Sequence, residues 1–459
     1  MINPRDLADL LGDRLINDPG SLSTTPFHDV VIDSRKVEPG DLFVALKGEH
    51  TDGHKFLDAA MANGATGVLS RIRPTSSLEG ACAFLVDDPL LALQGAAKCW
   101  RSRQRARLIG ITGSIGKTTT REVVAQVLSH NHEVFQSPRN FNSDIGLPLA
   151  ILALGSEHDW AVMELGPYDR AEMELLTEVA RPDLGIVTNV GPTHLERFGS
   201  IEATEEIKGL LPACLPADGI AILNADDERV RRMADRTSAR VLLFGLSGDA
   251  DVRASELETD GLDGIRFTLH MAGETARVRT PLIGSHQAMT ALAAAAVAST
   301  AAMTITDIVD ALANLETGSR LHPRRSYSGA LLLDDAYNAA PLSMKAALDV
   351  LAEMPGNRIA VLGDMLELGS EEADSHREMG AYSVDRCDRL IAVGTRARGL
   401  ADGAWDAGHS QIQWFEEQAD ATRMLRQEVG SSDVVLIKAS YGMHLEEMVE
   451  ALVSAEGSA

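Results

Sequence analysis

Residues 110–120 read GITGSIGKTTT, three glycines, four threonines and one lysine in a single short run. The core of it, Gly113-Ser114-Ile115-Gly116-Lys117-Thr118, lies between an apolar stretch, RLIGIT, and a helix-forming one, KTTTREVVAQVLSHN. A bare loop between a strand and a helix lets several backbone N–H groups approach an anion, and the helix N-terminus adds a favourable dipole. This is phosphate-binding chemistry. Lys117 offers a cation to the outer phosphates of a nucleotide, Thr118 offers a hydroxyl to Mg²⁺, and Gly113, Ser114, Gly116 and Thr119 complete the cradle. The spacing departs from the full G-x-x-x-x-G-K-[ST] pattern, because Ile111 stands at the first glycine position.

A magnesium nucleotide site needs a carboxylate opposite such a loop. Glu164 ends the apolar run WAVME, at the sheet edge where ligands gather in open α/β folds. His194, in TNVGPTHLERFGS, follows another strand-like run at the same edge, where it is either a ligand or a structural histidine. Lys208, in EATEEIKGLL, reads on its own as a solvated helical lysine, and Asn224-Ala225-Asp226-Asp227 as a capped turn. Asp334-Asp335 follows the run ALLL. Gly318-Ser319-Arg320 lies at a domain joint, where an arginine fork can clamp a phosphate or simply face solvent.

The elements that must hold these residues fall into three sections. Residues 1–105 contain short strands and helices and end in a basic stretch, CWRSRQRAR, expected to be a linker. Residues 106–317 alternate apolar strands (RLIGIT, DWAVMELG, LGIVTN, GIAILN) with helices, the signature of a parallel sheet. Antiparallel strands are expected near 250–280, and the alanine-rich HQAMTALAAAAVAST is expected to be a helix. Residues 318–459 repeat the alternation in GALLLDDAY, NRIAVLGDM, DRLIAVG and DVVLIKAS, predicting a second, smaller doubly wound sheet. The fold class is α/β in three domains: a small N-terminal one, a central P-loop ATPase-like one with a parallel sheet, and a C-terminal Rossmann-like one.

The chain has 459 residues, 45% hydrophobic and 24% charged, with a formal net charge of −25. An acidic surface argues against nucleic-acid and anionic-membrane partners, while a local basic pocket still admits a small anion. Four scattered cysteines with no CxxC pair point to free, buried thiols in a reducing compartment. The charged N-terminus has no signal-peptide pattern and the alanine run is too short to span a bilayer, so a cytoplasmic protein without membrane insertion is expected.

The segments DSRKVEPGDLFVALKGEHTDGHKF, GITGSIGKTTT, NFNSDIGLPL, VMELG, TNVGPTHLERFGS, NADD, GSRLHPRR, DDAYNAAPLSMKAAL and VLGDMLELG, in this order, resemble the Mur ligase family over essentially the whole chain. The resemblance implies that residues 1–105 hold a uridine nucleotide, 106–317 ATP, and 318–459 an incoming amine. ATP would phosphorylate a carboxylate to an acyl phosphate, which the amine then attacks. DDAYNAAPLSMKAAL and VLGDMLELG are most similar to the branch that adds D-alanyl-D-alanine to UDP-N-acetylmuramoyl-tripeptide in peptidoglycan precursor synthesis. The alternative is a paralogue that joins another acid and amine with the same ATP chemistry, and a nucleotide-binding protein without turnover is a third reading.

By family position, Lys117, Glu164, His194 and Lys208 are catalytic, and Thr118, Glu164, His194 and Lys208 hold metal, with two Mg²⁺ ions expected. Lys208 matches the lysine that the family carbamylates. Gln287, Arg320 and Asp335 join the loop residues in holding ATP. Ser34, Arg35, Asn140, Asn142, Asn338 and Pro341 match positions facing the UDP-linked precursor and the dipeptide amine. A monomer is expected. The chain departs from the family at Gln287 and Thr290, where His-Asn-x-x-Asn is common, and at Ile115, where Asn is common. It departs again at Pro167-Tyr168-Asp169, often Ala-Asn-His, and at Tyr441, usually an arginine. Most of these departures lie near ligand positions and bear on the substrates more than on the reaction.

Overall fold

The computed structural model describes residues 1–12, 23–48, 51–76, 78, 80–138, 140–193, 195–316 and 321–454. Three sheets organise them. The first is parallel and four-stranded, in the order Val30–Val31, Leu42–Val44, Gly67–Ser70, Cys82–Leu85. The second has nine strands and the third six.

The central sheet grows outward in both directions from Arg107–Thr112. On one side lie Trp160–Glu164 and then Val134–Gln136; on the other lie Leu184–Val187, Ile220–Asn224 and Arg240–Gly245, all parallel. Trp160–Glu164 and Leu184–Val187 are buried along their length, and Arg107–Thr112 is buried beyond its first residue, as their apolar runs require of central strands covered on both faces. The order in which strands are added reverses at Arg107–Thr112 while their direction does not, so the C-terminal end of that strand opens into the crevice where ligands bind in such sheets. The region near 250–280 is antiparallel as expected: Val252–Thr259, Ile265–Met271 and Glu274–Thr280 pair in sequence at one edge. The alanine run forms the helix Gln287–Thr300, whose small side chains allow close packing with the helix Lys117–Ser129 in one core.

The third sheet is parallel apart from its edge strand His322–Arg325, which pairs antiparallel with Leu331–Asp335. The strand Asp433–Lys438 is inserted between Leu331–Asp335 and Asn357–Gly363, which sets Asp335 beside Lys438 in parallel register. Asp334 and Asp335 therefore end the strand rather than follow it.

Two local expectations are corrected. The stretch CWRSRQRAR is not a linker up to Arg103; the helix Pro89–Arg103, capped by the Asp88 side chain, runs through it. Arg101 on that helix is buried. It donates to the carbonyls of Ala180 (2.9 Å), Ala106 (3.2 Å) and Arg181 (3.3 Å) and pairs with Asp183 at 2.9 Å, tying the first section to the central sheet. The cysteines also divide: Cys82 and Cys387 are buried, whereas Cys99 and Cys214 are exposed. No helix among the described residues is long and apolar enough to cross a membrane.

Replacing Arg101 with Met strands buried carbonyl oxygens and leaves Asp183 without its guanidinium. We expect a loss of about 3 kcal/mol, read as a lower urea midpoint in tryptophan fluorescence. A midpoint equal to that of the parent would remove Arg101 from this role.

Candidate active site

The loop between Thr112 and Lys117 is braced from behind by the segment that leaves the neighbouring strand Leu184–Val187. Thr188 Oγ1 donates to the Ile115 carbonyl at 2.7 Å. The Asn189 side chain accepts from Ile115 N at 3.0 Å and donates to its carbonyl at 3.1 Å. Ser114 Oγ donates to the Gly191 carbonyl at 3.0 Å and accepts from Gly191 N at 2.8 Å. Gly113, at φ +150°, must lack a side chain, since a Cβ there would fall 1.9 Å from Thr188 Oγ1. Lys117 and Thr118 open the helix, with Thr119 behind them. Lys117 Nζ donates to the carbonyls of Gly113 (2.8 Å) and Ser114 (3.1 Å), which holds the ammonium at the loop.

Opposite the loop, Glu164 ends its strand with only 4% of its surface exposed. Both carboxylate oxygens are engaged: Thr118 Oγ1 donates to one and Asn142 Nδ2 to the other, each at 2.9 Å. The buried guanidinium of Arg121 lies 4.0 Å away and donates to the Pro138 carbonyl. A hydroxyl beside a carboxylate is the hard oxygen donor pair that Mg²⁺ takes, with water and phosphate oxygens filling the remaining positions. Among the described residues no three His, Cys, Asp or Glu side chains form a group that could hold a metal ion. His194 and Arg320 lie outside the described residues.

Lys208 is not a solvated lysine. It ends the helix Ile201–Lys208 at 2% exposure, with its Nζ 5.5 Å from the centre of the Phe198 ring. Burial, aided by repulsion from the Lys117 ammonium, pushes its pKa well below the ordinary lysine range.

On the C-terminal side, Asp335 receives a 2.6 Å hydrogen bond from Lys438, which is 1% exposed on its side chain and also donates to the Asn338 carbonyl at 2.7 Å. Pro341 opens the helix Pro341–Ala352 just beyond. Gln287 begins the alanine-rich helix, and its Oε1 is buried with no hydrogen-bond partner among the described residues. Thr290 is buried one turn on. Leu342 sits over Gly191, where a Cβ would come within 2.5 Å of its Cδ1, so the C-terminal domain rests on the segment that braces the loop.

The structure thus joins the loop, Thr118, Glu164 and Asn142 by direct contacts and places Lys208 near Lys117. Asn140 bonds to Tyr337, next to Asn338, at 2.7 Å. Ser34 and Arg35 make their contacts within the first domain: the buried Ser34 accepts from Asn63 Nδ2 on its carbonyl, and the exposed Arg35 forks onto Asp33. Tyr168 lies under the Arg197 guanidinium, 4.3 Å from ring centre to Cζ. Sequence reasoning missed Arg121, Asn189 and Lys438. Lys438 had a signal, as the one cation closing the apolar run DVVLIKAS.

The lowered pKa of Lys208 makes a pH-dependent prediction. Between its folded pKa and the ordinary value of 10.5, the unfolded chain holds a proton that the fold lacks, so the parent gains stability as pH rises through this window. In bicarbonate-free buffer at neutral pH, Lys208→Met should be more stable than the parent. The gap should close toward pH 10.5 in paired thermal melts. A gap that does not change with pH would contradict the assignment.

Comparison with known proteins agrees with this architecture. The model of the Mur ligase family catalytic domain matches residues 26–76, that of the Mur ligase middle domain matches 111–298, and that of the Mur ligase glutamate ligase domain matches 319–441. The chain is 34% identical to the UDP-N-acetylmuramoyl-tripeptide–D-alanyl-D-alanine ligase of Bacillus subtilis, over 98% of each chain. The crystal structure of MurF from Acinetobacter baumannii superposes with a TM-score of 0.88 at 29% identity, covering 98% of both chains. That of MurF ligase from Thermotoga maritima in complex with ADP superposes at 0.81, also 29% identical, covering 92% of this chain and 96% of that one. The chain belongs to the Mur ligase family of ATP-dependent ligases.

Proposed function

We propose that this chain ligates D-alanyl-D-alanine to UDP-N-acetylmuramoyl-tripeptide, the reaction named for its Bacillus subtilis relative. The observation that carries the reading is the buried Thr118–Glu164–Asn142 contact set beside the Lys117 loop, in a chain that aligns with that relative over 98% of both lengths. Residues 1–105 take the uridine nucleotide through Ser34 and Arg35, 106–317 take ATP, and 318–459 take the amine near Asn338 and Pro341.

The loop N–H groups and Lys117 hold the triphosphate, and the Gln287 Oε1 acceptor suits the exocyclic amine of adenine. Asp335 and Arg320 close on ATP from the C-terminal domain. Thr118 and Glu164 would bind Mg²⁺, with His194 and carbamylated Lys208 on a second ion; the metal supplies screening between an anionic carboxylate and an anionic triphosphate. An oxygen of the substrate carboxylate attacks the γ-phosphorus as the bond to ADP breaks, giving an acyl phosphate. The neutral amine of the dipeptide then adds to the acyl carbon, phosphate leaves with the C–O electron pair, and the nitrogen loses its proton. Carbamylation is supported by the lowered pKa of Lys208: CO₂ adds to an uncharged amine with loss of a proton, and the resulting anion would turn its repulsion with Lys117 into attraction. The enzyme acts as a cytoplasmic monomer.

The decisive assay is phosphate release from ATP with UDP-N-acetylmuramoyl-tripeptide, with and without D-alanyl-D-alanine. Release that needs both, with the pentapeptide product seen by mass, is expected, and Lys117→Ala should reduce it at least about a thousandfold. Silence from a chain that binds ATP would favour a paralogue with other substrates. Near-parental turnover in Lys117→Ala would overturn the loop's role.

A further inference from the structure

One hydrogen bond crosses from the C-terminal domain to the loop that carries Asn142. Tyr337 Oη donates to Asn140 Oδ1 at 2.7 Å, linking residues 197 positions apart. Both ends are fixed. Tyr337 lies in the turn after Asp335, and Lys438 pins that turn on either side of it, through the Asp335 carboxylate and the Asn338 carbonyl. Its ring packs against Tyr441, with centroids 5.7 Å apart, and Tyr441 packs against His444 at 5.8 Å. Tyr337 and Tyr441 nevertheless stay 44% and 60% exposed, so this aromatic row lies at the surface rather than in a core.

At the other end, Asn140 is held at φ +67°, a left-handed backbone that asparagine tolerates better than most residues. Two residues on, Asn142 donates to Glu164, and its carbonyl accepts from Gly166 N at 2.9 Å. A Cβ at Gly166 would lie 2.8 Å from Asn142 Nδ2, so the amide is clamped with little room to turn. Three residues thus carry the position of the C-terminal domain to the carboxylate beside the phosphate loop.

We propose that Tyr337 is a positioning residue, whose hydroxyl couples the seating of the C-terminal domain to the alignment of Asn142 and Glu164, with Tyr441 supporting its ring. The proposal deepens the ligase reading and rests on it for its catalytic consequence. It also explains why Tyr441 is aromatic here: its contact is with the Tyr337 ring.

The test is a double-mutant cycle on the full chain with Tyr337→Phe, which keeps the ring and removes only the hydroxyl, and Asn140→Gly, which accepts the left-handed backbone. Each single change should lower kcat about tenfold while the KM for ATP stays within about twofold. The double variant should be no slower than the slower single. Without any substrate, Tyr337→Phe should also speed amide exchange across residues 140–145. Losses that multiply in the double variant, or exchange that does not change, overturn the proposal. A parent with no ligase turnover would instead count against the proposed function, and the exchange measurement would still decide the contact.

Discussion

The Glu164 carboxylate is the interaction on which the rest of the site depends. Burying it at the end of a central strand would be costly without partners, and its two hydrogen-bond donors come from different parts of the chain. Thr118 arrives on the first turn of the phosphate-loop helix. Asn142 arrives on the loop that follows Val134–Gln136. Arg121 adds its charge from the next turn of the same helix. Satisfying one carboxylate therefore fixes the loop, its helix and the neighbouring strand relative to one another.

That constraint makes sense of features around it. Thr188, Asn189 and Gly191 brace the loop through hydrogen bonds to Ile115 and Ser114. In the ligase reading proposed above, that bracing would preorganise the loop for a phosphate. The C-terminal domain settles on the same structure at two points, Leu342 over Gly191 and Tyr337 on Asn140. Lys208 sits in the same interior, where its lost hydration and the charge of Lys117 hold its amine toward the neutral form.

How much of this was legible in the sequence follows from how far apart the partners lie. The placement of Gly113 to Thr118 between a strand and a helix was readable because the signal is contiguous. The central and C-terminal sheets were readable from apolar runs recurring between helices, and the place of Glu164 from the end of such a run. The burial of Lys208 was not legible locally, where it reads as a solvated lysine, because eight residues of helical sequence do not reveal which face is covered; its burial is set by packing with elements distant in the chain. Arg101 was misjudged for a related reason, since a basic stretch reads as solvated until the carbonyls of Ala106, Ala180 and Arg181 are seen to surround one of its members. The Tyr337–Asn140 contact spans two domains, and neither residue carries a local signal of the other.

If the Glu164 carboxylate both organises the loop and supplies a metal ligand, its charge must matter where its shape does not. Calorimetric titration of ADP into the parent and into Glu164→Gln, each with Mg²⁺ and with a chelator, tests this directly, since the amide preserves size and can still accept from Thr118. The parent should bind ADP at least about tenfold tighter with Mg²⁺, and the variant should lose most of that difference while keeping its affinity in chelator. An undiminished Mg²⁺ dependence in Glu164→Gln would contradict the account.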